Sequence, residues 1–146
     1  MSFKKVDAKV RRASHALLIS GDGRLYLQKK TADAPLNPGK ISMFGGGLET
    51  GEDEQGGLER ELREELGLEL REHRYKKLAD YPKTIEVDGS EALLHVYCVS
   101  GVDREKLILM EGEDIVSGLP SEILNRPDVT RITRLAVEAF LKQERN

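Results

Sequence analysis

Between residues 46 and 68 the chain reads GGLETGEDEQGGLERELREELGL, and this run constrains everything around it. Its second half has the spacing of an amphipathic helix. Leu58 and Leu62 supply an apolar stripe that must be covered. Glu61, Glu64 and Glu65 stand at i, i+3 and i+4. At about 100° per residue they share roughly 100° of arc, next to the leucines. Like charges at that spacing destabilise a helix. A hard divalent cation relieves the repulsion, and clustered carboxylates are the ligands that Mg²⁺ and Mn²⁺ prefer. Asp53 or Glu54 opens the helix, with negative charge at its N-terminal end, and Gly67 closes it.

Glycines precede the helix: Gly45, Gly46 and Gly47, then Gly51 before Glu52. Glycine lets a backbone turn tightly and approach a ligand closely. A glycine loop feeding an acidic helix is a cradle for a metal-bound diphosphate. The spacing is specific. Gly46 is followed by five residues and Glu52, and seven more lead to Arg60-Glu61-Leu62-Arg63-Glu64-Glu65-Leu66-Gly67-Leu68. In this the chain resembles the Nudix hydrolase family, whose box it matches at every fixed position. An ordinary surface helix with i, i+4 ion pairs would leave the glycine spacing unexplained.

The resemblance implies roles residue by residue. Glu61, Glu64 and Glu65 match the metal-binding glutamates, and Glu61 and Glu64 are the box candidates for catalysis. The Gly45 carbonyl falls where a backbone metal ligand often lies. Arg60 matches an arginine that orients a box glutamate, and Glu52 a position with a structural and electrostatic task. The general base lies in the box or on a later loop in different members, and Glu111 and Glu113 are the later-loop candidates here. Lys29 and Lys30, ending a strand, are candidates for phosphate. Phe44 is a candidate for stacking on a ring, with core packing as its alternative. Tyr26 and Tyr97 are expected in the core. The chain departs from the common Trp-x-x-Pro-Gly-Gly approach to the box, with Ile41 for Trp and Phe44 for Pro. The metal chemistry should survive that change, and the wall of the substrate pocket should differ. His15, His73 and His95 show no metal-ligand spacing, and Cys98 reads as a small buried hydrophobe.

A length of 146 residues suits one domain, 1–146, and can bury a core without disulfide or structural metal. With one cysteine no internal disulfide can form, which fits a reducing cytoplasm. No apolar run follows Met1, so neither a signal peptide nor a membrane span is expected. A net charge of −3 does not suggest a nucleic-acid partner. Residues 1–12 are basic and read as a flexible tail or edge strand. Nothing sets the oligomeric state, and a homodimer is one arrangement open to the chain.

Strands are expected over 14–20 and 24–29, joined at Gly21-Asp22-Gly23, then over 41–44. Others are expected over 75–81 and 84–87 before an Asp88-Gly89 turn, over 91–100, and over 106–110. A last helix spans about 129–143. Strands on either side of a helix, with a second helix at the end, give an α/β or α+β class. The resemblance narrows this to an α/β/α sandwich with a mixed sheet between helices.

The function that follows is Mg²⁺- or Mn²⁺-dependent hydrolysis of a nucleoside diphosphate linked to another moiety. A nucleoside triphosphate, cleaved as by a pyrophosphohydrolase, is the first substrate expected. Nucleotide sugars, ADP-ribose and dinucleoside polyphosphates come next. A non-catalytic nucleotide sensor is the rival from another class, and intact box glutamates speak against it. A Ca²⁺-binding or partner-binding helix is a second rival, and it lacks the 12-residue loop pattern.

Overall fold

The computed structural model describes residues 10–84, 89–110, 112 and 114–144. Seven strands form one mixed sheet: β1 (Arg11–Ile19), β2 (Leu25–Lys29), β3 (Ile41–Ser42), β4 (Phe44–Gly47), β5 (Tyr75–Thr84), β6 (Glu91–Val99) and β7 (Asp114–Gly118). Three helices flank it: α1 (Glu54–Leu66), α2 (Pro120–Leu124) and α3 (Arg131–Glu144).

β1 organises the sheet. β6 runs parallel along one edge of β1 from Arg11↔Ala92 to Leu18↔Val99. Two antiparallel strands share its other edge. β2 takes only the C-terminal end, at Leu18↔Tyr26 and Ile19↔Leu25. β4 takes the N-terminal half, from Ala13↔Gly47 to Ala16↔Phe44. β2 therefore parts from β1 and pairs onward with β3, at Gln28↔Ser42 and Lys29↔Ile41. The sheet forks here, and residues 41–47 line both prongs. β7 completes the far edge of β2, and β5 covers β6 with a register shift between Lys77 and Ala79.

Strand alternation divides the core into two layers. Ala16, Leu18, Tyr97 and Val99 face Leu58, Leu62 and Leu66 of α1. Leu17, Ile19, Val96 and Cys98 face Ile132, Ala136, Val137 and Phe140 of α3. The result is the expected α/β/α sandwich, an α+β arrangement. Burial pushes the Cys98 thiol up to about 11, so it packs as a hydrophobe.

α1 is held at both ends. The Asp53 carboxylate accepts from the Gly56 N–H at 2.7 Å, an N-cap worth about 1 kcal/mol. Gly67 ends the helix at φ 65°, where a side chain would be strained. Gly57 is a poor helix former, yet a Cβ there would lie 2.1 Å from Leu48 Cδ2. Leu48 thus packs directly on the first turn and fixes how the glycine loop meets the helix.

The expected strand over 106–110 is not one. A 3₁₀ turn covers Arg104–Lys106, and the following segment is bound to the end of α1. Ile108 N–H donates to Leu66 O at 3.0 Å and Met110 N–H to Glu65 O at 2.8 Å. Free carbonyls at a helix C-terminus compete for such donors, and periodicity cannot register that. The apolar alternation of KLILM suits both roles, and the strand lies later, in β7. α2, opened by Pro120 at its first turn, is a further element the periodicity did not give. β5 ends at Thr84, and the expected strand beyond it and Asp88 lie outside the described residues.

Phe44 is fully buried, against α1. Its ring fills the core in place of the stacking role expected of it, because β4 pairing with β1 turns it beneath the glycines. Truncating it to alanine should cost about 3–5 kcal/mol. Denaturant unfolding of Phe44→Ala measures this, and an unchanged ranking of substrates should accompany it.

Candidate functional site

The glycine loop and α1 meet through their polar atoms. Gly45 N–H donates to Glu65 Oε1 at 2.8 Å, and Glu65 is only 2% exposed. Gly45 has φ 139°, and a Cβ on it would lie 2.1 Å from the Ser14 carbonyl oxygen. No other residue fits that approach to β1. At Gly46 a Cβ would come within 2.6 Å of the Glu61 carboxylate. The bare backbone is what leaves room for the acid. Glu64, one turn along, is the exposed member, its side chain 53% accessible.

Arg60 ties these parts together. Its Nε and Nη2 grip Glu52 in a two-point pair at 2.8 and 2.9 Å, and Nη2 also donates to Gly47 O at 3.0 Å. Nη1 faces the acids, 3.0 Å from Glu61 and 3.3 Å from Glu64. Glu52 in turn accepts from Glu49 N–H. Hydrogen bonds from Arg60, then from the Glu49 amide, hold the Glu52 carboxyl down at about 2. One guanidinium thus joins the loop, the segment before the helix and two helical carboxylates.

Beside the loop, in the fork of the sheet, lies a cleft of about 450 Å³. His15, Gln28, Lys30, Met43, Gly46 and Thr133 contribute to its lining. The His15 imidazole is pushed down to about 4, by burial first and then by Lys30 and Lys83, so it is neutral at ordinary pH. Lys30 lines the cleft. Lys29 does not line it, and lies between Ile41 of β3 and Asp114 of β7. Glu111 and Glu113 lie outside the described residues. The chain around them is placed: Met110 is bound to the end of α1, and Gly112 abuts the Gln28 side chain and Lys29 O.

A NUDIX domain model matches residues 9–131. The chain belongs to the Nudix family of hydrolases. It is 33% identical over 126 residues to the nucleoside triphosphatase NudI of Enterobacter sp. (strain 638), covering 81% of this chain and 88% of that protein. Among solved structures, the MutT protein of Methanosarcina mazei Go1 matches with a TM-score of 0.81 at 18% identity, over 94% of this chain and 97% of that one. The E. coli ORF135 protein matches with a TM-score of 0.74 at 27% identity, over 93% and 91%. Nudix enzymes generally act with a divalent metal. The chemistry of the box's donors suits one: two carboxylates lie against the glycine backbone, Glu65 bound to Gly45 and Glu61 given its space by Gly46, and Glu64 is an exposed third one turn along. No helix among the described residues is long and apolar enough to cross a membrane.

One cluster in this Nudix fold escaped the sequence reading. Glu54, Asp80 and His95 bring ligand atoms within 4.8 Å of one another, the only such trio among the described residues. They come from α1, β5 and β6, so no spacing along the chain could announce them. A cation already stands among them. Lys77 Nζ is 2.8 Å from both Glu54 Oε1 and Asp80 Oδ1. Arg12 Nε donates to His95 Nε2 at 3.0 Å, while His95 Nδ1 faces Asp80 Oδ1 at 2.7 Å. Tyr97 donates its hydroxyl to Glu54 at 2.8 Å. Burial works to raise the Glu54 carboxyl, and the Lys77 and Tyr97 hydrogen bonds outweigh it, leaving the group below its ordinary value. The trio is thus satisfied internally and anchors the first turn of α1 to the sheet.

The depressed Glu52 carboxyl makes a pH prediction. A carboxyl whose folded value lies below its unfolded one stabilises the fold above the unfolded value of 4.5, and that share is lost as pH falls toward about 2. Urea unfolding at pH 5 and pH 3 should show a shallower pH dependence for Glu52→Gln than for the parent protein. Equal slopes would place the acid sensitivity elsewhere.

Proposed function

We propose that this Nudix protein is a Mg²⁺- or Mn²⁺-dependent hydrolase that converts a nucleoside triphosphate and water into the nucleoside monophosphate and pyrophosphate. The observation that carries the reading is the set Glu61, Glu64 and Glu65 on one side of α1, with Glu65 bound to Gly45 N–H, Glu61 against Gly46 and Glu64 joined to Glu61 through Arg60, while Gly45 and Gly46 also line the cleft. The likeness to a nucleoside triphosphatase over most of both chains supports the substrate class. Glu61, Glu64 and Glu65 would hold the cation, and Glu64 has the freedom to move onto it because its side chain is half exposed. The chemistry a divalent cation supplies when bound is charge neutralisation on phosphoryl oxygens and acidification of the attacking water.

The chain's own groups do the rest. Gly45 N–H fixes the Glu65 carboxylate, so that acid needs no reorganisation. Arg60 bridges Glu61 and Glu64 through one nitrogen and holds them close to the loop. It is itself held by Glu52, so it stays with the structure when the acids turn to a cation. The bare Gly46 backbone lets a phosphate approach without a side chain in the way. A carboxylate must take the proton of the attacking water. Glu111 and Glu113 are proposed for this because Gly112 between them abuts Gln28 of the cleft.

Hydrolysis of nucleoside triphosphates should cease in excess chelator and return with Mg²⁺ or Mn²⁺. Glu64→Gln should lower kcat/KM by more than the ~10–100-fold that losing even an outer partner of a metal ligand costs. Its melting temperature should hold or rise, since a like charge leaves the helix. Activity undiminished by chelator would overturn the reading, and a near-normal Glu64→Gln would remove that residue from it.

The base is tested separately. Glu111→Gln and Glu113→Gln should be compared, and the one that acts should lose about 10²–10⁴ in kcat with little change in KM. Full activity in both would assign the proton to the box.

A further inference from the structure

The cleft in the fork has polar groups that the fold leaves unused. The Gln28 side chain belongs to a residue only 6% exposed, lines the cleft and makes no hydrogen bond to any described residue. His15 Nδ1 is buried and unpaired as well. Buried polar groups normally find partners, and leaving one without costs stability. Among the described residues His15 Nδ1 is the wholly buried side-chain atom without a partner, and the Gln28 amide reaches the surface of the same cleft without one; together they mark a site whose partner is a ligand. Around them the surface is mostly apolar, with Leu36, Met43 and Ile132 on the walls. A flat heterocycle suits that combination better than a sugar, whose faces carry hydroxyls. The lining also carries positive charge, from Lys30 and Lys83.

We propose that the cleft seats the base of the substrate, that Gln28 and His15 read its edge, and that Lys30 and Lys83 favour edges bearing carbonyl oxygens, so that uracil, thymine and guanine are preferred over cytosine and adenine. The inference rests on the hydrolase reading above for its catalytic test only. Uracil and thymine present an oxygen where cytosine presents an amino group, and guanine an oxygen where adenine presents one. A lysine is a donor without any acceptor, so it stabilises the former and repels the latter. The Gln28 amide can donate to such an oxygen. The His15 Nδ1, buried without a partner, can donate to or accept from such an edge according to its tautomer. A glutamate at 28 would accept only, and would reward an amino group.

Two measurements test this. Calorimetric titration of the full chain with UMP and with CMP, without metal, should show UMP binding about tenfold tighter, the size of one net hydrogen bond. Steady-state kcat/KM with metal should favour UTP over CTP by a similar factor, and Gln28→Glu, checked for folding by circular dichroism, should bring the ratio to parity or reverse it. Equal or inverted UMP and CMP binding in the parent protein would overturn the proposal, as would an unchanged UTP/CTP ratio in folded Gln28→Glu. If that variant does not fold, Gln28→Met takes its place and should narrow the ratio. If the parent hydrolyses neither triphosphate, the hydrolase reading fails, while the UMP and CMP titration still decides this one.

Discussion

The two-point grip of Arg60 on Glu52 is the interaction on which the site depends. It spans eight positions in the chain and joins the end of the glycine loop to the second turn of α1. A guanidinium is planar and offers paired donors, so it sets direction as well as distance. With two of its nitrogens committed to Glu52 and Gly47 O, the third is delivered to Glu61 and Glu64. A lysine could supply the charge and none of the geometry. An isolated ion pair at such partial exposure would contribute little to stability. Its effect here is on placement: it keeps two neighbouring acids, Glu61 and Glu64, from splaying into solvent, while Gly45 N–H holds the third.

That placement has a second support, from the sheet. β1 accepts β6 along one whole edge and divides the other between β2 and β4. The division opens the fork, and the glycine loop is the strand that lines one prong. Gly45 is thus at once a sheet residue opposite His15 and the donor to Glu65. The close approach that makes a side chain impossible at Gly45 also leaves its N–H to bind Glu65, which ties α1 to a loop that lines the cleft. Leu58, Leu62 and Leu66, buried against β1 and β6, then fix the rotation of the helix so that the acids face the loop. Core packing and site geometry are two consequences of one strand arrangement.

Much of this was legible in the residues. The helix bounds, its cap at Asp53 and its stop at Gly67 follow from local rules, because those rules act within a turn of the chain. The hairpin at Gly21–Gly23, the division of strand β6 into two faces and the acids on one side of α1 follow from periodicity. What failed has a common cause in contacts distant along the chain. The KLILM segment has strand composition, and the unpaired carbonyls of α1 claimed its backbone instead. Phe44 stands where a pocket residue is expected in related chains, and its strand register sends it into the core. Lys29 and Lys30 look equivalent in sequence, yet only Lys30 lines the cleft.

The cluster of Glu54, Lys77, Asp80, His95 and Arg12 shows the same limit and explains a feature of α1 that local rules leave open. The helix begins with Glu54, Gln55 and two glycines, a weak start for its first turn. Charge on the first residue helps, but by tenths of a kilocalorie. The Glu54 carboxylate instead reaches out to Lys77 and Tyr97, and Ser14 Oγ donates to Glu54 O at 2.8 Å. Three strands therefore hold the first turn in place. Burial works to raise the Glu54 carboxyl, and hydrogen bonds from Lys77 and Tyr97 outweigh it and pin the side chain. The glycine at 57 can then be chosen for the close contact with Leu48, and that at 56 for room beside the Asp53 cap, and not for helix formation. The weak first turn and the charge cluster around buried His95 are one design. The sheet supplies the order that the sequence of the turn lacks, and the loop carrying Gly45 to Gly47 is left free to meet the acids.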